Sequence, residues 1–128
     1  MSSYKPKDHN AVSPYLLVSN VKAQLAFLNA VFGSTELHKW ELPDGSVKHA
    51  EVRIDDSVIM MGERPDGRDP MHCSTHVYVP DVDATYKAAL AAGATSVSEP
   101  KDQPYGDRSA GVKDAEGNIW WIGTKISS

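Results

Sequence analysis

Ser74-Thr75-His76-Val77-Tyr78-Val79-Pro80-Asp81 decides how this chain is read. It is a short apolar stretch ending in proline and a capping carboxylate, so it predicts a strand that turns into a helix. The helix that follows carries Val82, Tyr86 and Ala89 on one face and is closed by Gly93. The same pattern occurs earlier: Ser13-Pro14-Tyr15-Leu16-Leu17-Val18-Ser19-Asn20 leads through a capping asparagine into a second helix. There Val21, Leu25, Leu28 and Phe32 recur on one helical face as far as Gly33. Val18 and Val79 stand 61 positions apart (79 − 18), so one module is expected in each half of the chain.

The remaining segments fill in both modules. Pro43-Asp44-Gly45-Ser46 separates the extended stretches 36–42 and 47–54, with proline fixing one φ and glycine accepting a positive one. Asp55-Asp56 turns the chain into a strand at 57–61. In the second half a short strand near 95–98 is followed by a polar stretch, 99–108, that reads as irregular. Strands near 110–113 and 118–123 flank the turn Asp114-Ala115-Glu116-Gly117. Each half is therefore β-α-β-β-β. Residues 1–10 are polar and read as a flexible start, and 11–128 as one domain. Its modules, 11–63 and 73–126, are joined by the proline- and glycine-containing linker 64–72.

Composition sets the class. With 128 residues, 41% hydrophobic and 23% charged, the chain has the balance of a globular domain able to bury a core. A net charge of −4 and scattered Lys and Arg argue against nucleic-acid binding. The single cysteine, Cys73, excludes an internal disulfide, and the polar start carries no signal or anchor pattern. The expectation is a cytoplasmic protein that does not engage a membrane.

Two such modules, each with Val-x-Asn/Asp closing its first strand and with Asp114 and Gly117 before the last strand, resemble the glyoxalase/bleomycin resistance/dioxygenase group, the vicinal oxygen chelate superfamily. Pro14-Tyr15-Leu16, Pro43-Asp44-Gly45, His49-Ala50-Glu51, His76-Val77-Tyr78-Val79, Asp102-Gln103 and Tyr105-Gly106-Asp107-Arg108 look like its glyoxalase-like, or demethylubiquinone methyltransferase-like, branch. The resemblance covers residues 12–124 and implies an α+β fold in which the two modules form an open, cupped mixed sheet, completed in a homodimer.

Enzymes of that group hold one divalent ion in the cup. Carried over position by position, the resemblance places its ligands at Ser13, Met60, Ser74 and Trp121. Hydroxyl, thioether and indole do not make a site for Mg, Mn, Fe or Zn, so neither metal nor other cofactor is expected. A displaced site built from His49, Glu51 and His76 is the alternative. His76 reads either as a hydrogen-bonded residue of an aromatic cup or as a ligand contact or general base. His49 and Glu51, two apart on one strand, read first as an ion pair. Tyr105-Gly106-Asp107-Arg108 reads as a tight turn tied down by charge, or as a lid with Tyr105 over a ligand. Of Trp120 and Trp121, strand alternation sends one into the cup and the other against a helix or a partner chain.

The leading expectation is reversible binding of a small aromatic or amphipathic molecule by Tyr15, Met60, His76, Tyr78, Tyr105 and Trp121. The runner-up is a lyase, isomerase or dioxygenase using the displaced metal site, or acid–base chemistry through His76.

Overall fold

The computed structural model describes residues 4–127. The order of elements is β1 (Tyr15–Val18), α1 (Val21–Phe32), β2 (Thr35–Glu41), β3 (Val47–Ile54), β4 (Ser57–Glu63), β5 (Ser74–Tyr78), α2 (Val82–Ala91), β6 (Thr95–Asp102), β7 (Asp107–Lys113) and β8 (Ile119–Lys125). Each half is β-α-β-β-β and forms its own four-stranded mixed sheet, β1-β4-β3-β2 and β5-β8-β7-β6. The first strand of each module runs parallel to the last, and the other neighbours are antiparallel.

Local chemistry starts and stops the helices as expected. Asn20 and Asp81 sit in extended conformation and accept from the backbone N–H of Ala23 and Ala84, which satisfies helix donors that otherwise have no partner. Gly33 takes the left-handed conformation (φ 64°) that ends α1. The buried face of α1 is Val21, Gln24, Phe27, Leu28 and Val31, with Leu25 and Phe32 partly buried beside it. Strand alternation does the same for the sheets. In β3, Ala50, Val52 and Ile54 are buried under the helices, while His49, Glu51 and Arg53 point the other way.

Both helix-side sheet faces close on one core, which runs from Leu16 and Met61 through Val77 and Val82 to Trp120 and Ile122. The modules are joined by more than apolar contact. Asp114, in the β7–β8 turn, is buried, and its Oδ2 accepts from Gln24 Nε2 of α1 (2.9 Å) and from Trp120 Nε1 (2.8 Å). Its Oδ1 accepts from the backbone N–H of Glu116 and Asn118 (both 2.9 Å). Glu116 reaches across to the Ser19 and Asn20 backbone N–H groups and the Ser19 hydroxyl, and the Phe32 ring meets Trp120 at 5.5 Å.

One segment differs from the sequence reading. The polar stretch 99–108 is not irregular: β6 continues to Asp102, a turn follows, and β7 begins at Asp107. β6 lies at the sheet edge, where Pro100, which has no N–H, costs no interior ladder bond. Register shifts between Ser96 and Ser98 and between Ser98 and Lys101 absorb the irregularity. Polarity here marks an edge strand rather than a loop. Residues 4–10 carry no regular element, yet the Asn10 side chain accepts from Val58 N–H (3.2 Å) and the Asp8 carbonyl accepts from Arg53 (3.4 Å).

Because four donors converge on one buried carboxylate, Asp114→Ala is expected to destabilise the fold by about 3 kcal/mol. Urea unfolding followed by far-UV circular dichroism checks this. A loss below about 1 kcal/mol would mean that water replaces the carboxylate without cost.

Candidate functional site

The faces turned away from the helices carry the residues singled out from the sequence. On the second sheet, Ser74, His76 and Tyr78 alternate along β5, and Trp121 of β8 stands opposite His76. Trp120 points to the core and is fully buried, while Trp121 points outward and is 36% exposed. Trp121 lies over Gly111: a Cβ there would come within 2.6 Å of the indole. His76 lies over Gly123 in the same way, at 2.9 Å. Only glycine lets both rings rest on the sheet.

The polar ends of Trp121 and Tyr78 are satisfied by the protein itself. Trp121 Nε1 donates to Ser74 Oγ (2.9 Å), and Tyr78 OH donates to Asp107 Oδ2 (2.9 Å). That bond to a carboxylate raises the Tyr78 phenol above its ordinary pKa. His76 packs edge-on against Tyr78 with centroids 4.6 Å apart.

Tyr105 sits on the β6–β7 turn, where Gly106 has φ 97° and its N–H reaches the Gln103 carbonyl (3.2 Å). Arg108 anchors the start of β7, donating to both Asp83 oxygens (3.0 Å each) and to Asp102 (2.9 Å). Those bonds hold Asp83 below the usual carboxylate range. The four residues 105–108 are thus a charge-anchored turn with Tyr105 exposed at its tip.

A cavity of about 830 Å³ opens between Tyr78, Tyr105, Asp107 and Lys125 of the second module and Asp55 of the first. A smaller one of about 370 Å³ is lined by His76, Tyr78, Asn10 and Ile59. Three of the six expected ligand residues therefore line cavities: Tyr105 the larger, His76 the smaller and Tyr78 both. Trp121, Tyr15 and Met60 line neither of these two. Tyr15 and Met60 stand side by side on the outer face of the first sheet.

The four positions that the family resemblance assigns to metal ligands do not fit a divalent ion. Ser74 and Trp121 are hydrogen-bonded to each other, Met60 offers a thioether, and the Ser13 hydroxyl is buried with no partner among the described residues. Among the described residues no group of three or more His, Cys, Asp or Glu could hold a metal. The alternative site of His49, Glu51 and His76 is not assembled. His76 belongs to the second sheet and stacks on Tyr78, whereas Glu51 is engaged by His49 and by a residue the sequence reading passed over, His9.

Glu51 Oε1 faces His9 Nε2 at 2.6 Å, and Oε2 faces His49 Nε2 at 2.8 Å. The other nitrogen of His9 faces the Lys7 carbonyl at 3.0 Å. Both His9 partners can only accept, so both bonds form only with the imidazolium. These bonds, first from Glu51 and then from Lys7, raise the His9 pKa above 6.5. Burial pushes Glu51 up, but the bonds from His49 and His9 together outweigh it and leave the carboxyl below 4.5. No local signal near His9 marks this role, because its partner lies 42 positions away.

The fold agrees with the comparisons. The profile of the Glyoxalase/Bleomycin resistance protein/Dioxygenase superfamily matches residues 8–122, and the chain belongs to that family. An uncharacterised protein of Mycobacterium bovis is 32% identical over 127 residues, covering 91% of this chain and 84% of the relative. One from Mycobacterium tuberculosis is also 32% identical, covering 91% and 75%. Among solved structures, TioX from Micromonospora sp. ML1 superposes with a TM-score of 0.73 at 24% identity, covering 93% of this chain and 98% of that one. The fosfomycin resistance protein FosX from Listeria monocytogenes gives 0.71 at 16% identity, covering 91% and 93%. At those identities the solved structures speak for the fold.

The His9–Glu51 pair has a defined pH window. His9, with its pKa raised on folding, contributes stability in full below about 6.5, and this is lost as pH rises through its folded value. Glu51, with its pKa lowered, contributes above about 4.5, and this is lost as pH falls through its folded value. The stability difference between wild type and Glu51→Gln should therefore be largest between about pH 4.5 and 6.5 and shrink on both sides. Urea unfolding at a series of pH values measures it, and a difference that does not vary with pH would show that the pair is not formed in solution.

Proposed function

We propose that this chain is a small-molecule-binding member of its family that takes a planar aromatic or amphipathic ligand without a metal ion. The observation that carries this reading is the shelf formed by Trp121, His76, Tyr78 and Tyr105. Its tryptophan and Tyr78 have their polar ends bonded within the protein and their rings exposed, and Tyr78 and Tyr105 line the 830 Å³ cavity. Rings whose N–H and O–H are already paired offer their faces rather than their donors, and that favours stacking on flat apolar surface. Lys125 and Asp107 at the cavity edge supply polar contacts for the far end of an amphipathic molecule.

The same reading includes a homodimer. β2 and β6 are open sheet edges. A second copy of the chain paired along them would cover those edges and leave the outer faces open. A cytoplasmic setting is part of the proposal and is compatible with the absence, among the described residues, of any helix long and apolar enough to cross a membrane.

Titration with the aromatic, amphipathic dye anilinonaphthalene sulfonate, read by fluorescence, tests the shelf. Trp121→Ala and Tyr105→Ala are each expected to weaken binding about fivefold, corresponding to roughly 1 kcal/mol of ring contact. Gly111→Ala, which lifts the indole from the sheet, should do the same while leaving the Trp121 side chain in place. Unchanged affinity in all three would remove the shelf as the binding surface.

Native mass spectrometry with elemental analysis tests the rest. The expected species is twice the 13.9 kDa chain with no stoichiometric metal. Near-stoichiometric Mn, Fe, Ni or Zn would overturn the metal-free reading.

A further inference from the structure

The first sheet carries a second chemical arrangement, separate from the aromatic shelf. Tyr15 of β1 would face Met60 by register, and Gly62 lies two residues further along β4. A Cβ at Gly62 would lie 3.0 Å from the Tyr15 hydroxyl, so the missing side chain opens the path along which the phenol leans toward β3. There Tyr15 OH meets His49 Nδ1 at 3.0 Å, and the rings are 5.7 Å apart. His49 Nε2 faces Glu51 Oε2 at 2.8 Å, and the second carboxylate oxygen is held by His9.

Directionality follows from the partners. The carboxylate only accepts, so Nε2 of His49 carries a proton; in the neutral ring Nδ1 is then the acceptor, and the Tyr15 O–H points at it. A carboxylate, an imidazole in a fixed tautomer and a hydroxyl in line are the parts of a proton relay. Exposure is graded along it: the side chain of Glu51 is 14% exposed and that of His49 25%, while Tyr15 is 44% exposed. The buried end orients and the open end meets solvent. Trp40, paired with His49 across β2 and β3 and 56% exposed, gives the same face a flat apolar wall.

We propose that Tyr15, His49 and Glu51 form a metal-free proton-transfer site on the outer face of the first sheet, with Tyr15 as the group that meets the substrate. The substrate class is a small organic molecule with a weakly acidic C–H or O–H, seated between Tyr15 and Trp40. In the forward step the Tyr15 proton passes to His49 Nδ1. Glu51 stays ionised and stabilises the imidazolium, and the phenolate oxygen takes the substrate proton. Return of the His49 proton, by way of Tyr15, to the substrate at the same or another atom closes the cycle with no net change in the protein. Glu51 is a positioning residue, and His9 completes its coordination by occupying the other oxygen.

Selective arylsulfonylation tests this without a known substrate. Benzenesulfonyl fluoride reacts with an activated phenol by forming an O–S bond and breaking S–F. Fluoride leaves, and the phenol proton goes to His49. Peptide mapping by mass spectrometry gives the labelling rate at each tyrosine, with Tyr105 (70% exposed) and Tyr4 (94% exposed) as references in the same molecule. Tyr15, although less exposed than either, is expected to label at least about tenfold faster. His49→Gln should bring it to the Tyr105 rate or below while Tyr105 itself is unchanged. Glu51→Gln, which keeps a hydrogen-bond acceptor but removes the charge, should give an intermediate rate and serves if His49→Gln fails to fold by circular dichroism. A Tyr15 rate in wild type no higher than that of Tyr105 would overturn the proposal, and so would a lead that is undiminished in the folded variant.

Discussion

The buried Asp114 carboxylate is the constraint on which the rest of the molecule depends. A carboxylate out of contact with water is tolerated only when its lone pairs are filled, and here two backbone N–H groups, an indole and a carboxamide fill them. Each partner does a separate job. The backbone bonds shape the β7–β8 turn, and the indole bond fixes Trp120, whose ring then packs on Phe32. The Gln24 bond ties the first module's helix to the second module's sheet. Two small modules with marginal cores of their own thereby share one continuous core.

Fixing the helix sides against each other leaves both outer faces free, and they are chemically different. The second sheet presents the exposed rings of Trp121 and Tyr78, whose polar ends are already paired, with Trp121 lying over Gly111 and His76 over Gly123. The first presents a line of groups linked by hydrogen bonds, with Gly62 making room for the phenol. The repeat supplies the same frame twice, and side-chain choice gives one copy exposed aromatic rings and the other a hydrogen-bonded line of Tyr15, His49 and Glu51. In the superfamily the ligand positions of both copies serve one ion. Here the two in the second copy, Ser74 and Trp121, satisfy each other instead.

Much of the fold was legible because its causes are local. Asn20 and Asp81 announce helix starts, Gly33 a helix end, and Pro43-Asp44-Gly45-Ser46 a hairpin, each through chemistry spanning three or four residues. Alternation placed Trp120 and Trp121 on opposite faces, and the structure has the first buried and the second exposed. The edge strand β6 was not legible, because its polar residues and Pro100 have a loop's composition. Whether such a stretch pairs depends on the neighbouring strand β7. His9 was hidden for a related reason: a histidine in a polar stretch has no signal of its own, and its partner Glu51 reaches it only through folding.

The sequence by itself therefore determined the repeat, the helices, the hairpins and which residues face outward, since period and capping act over one or two turns of chain. Only the tertiary structure decided which outward residues meet. Tyr15 and His49 are 34 positions apart, Gln24 and Asp114 are 90 apart, and Ser74 and Trp121 are 47 apart. Contacts at such separations are fixed by strand register and by how two modules share a core, and neither is written in the spacing of nearby residues. That is why His49 and Glu51 could be seen as neighbours in the sequence, while Tyr15 and His9, which give the pair its chemistry, could not.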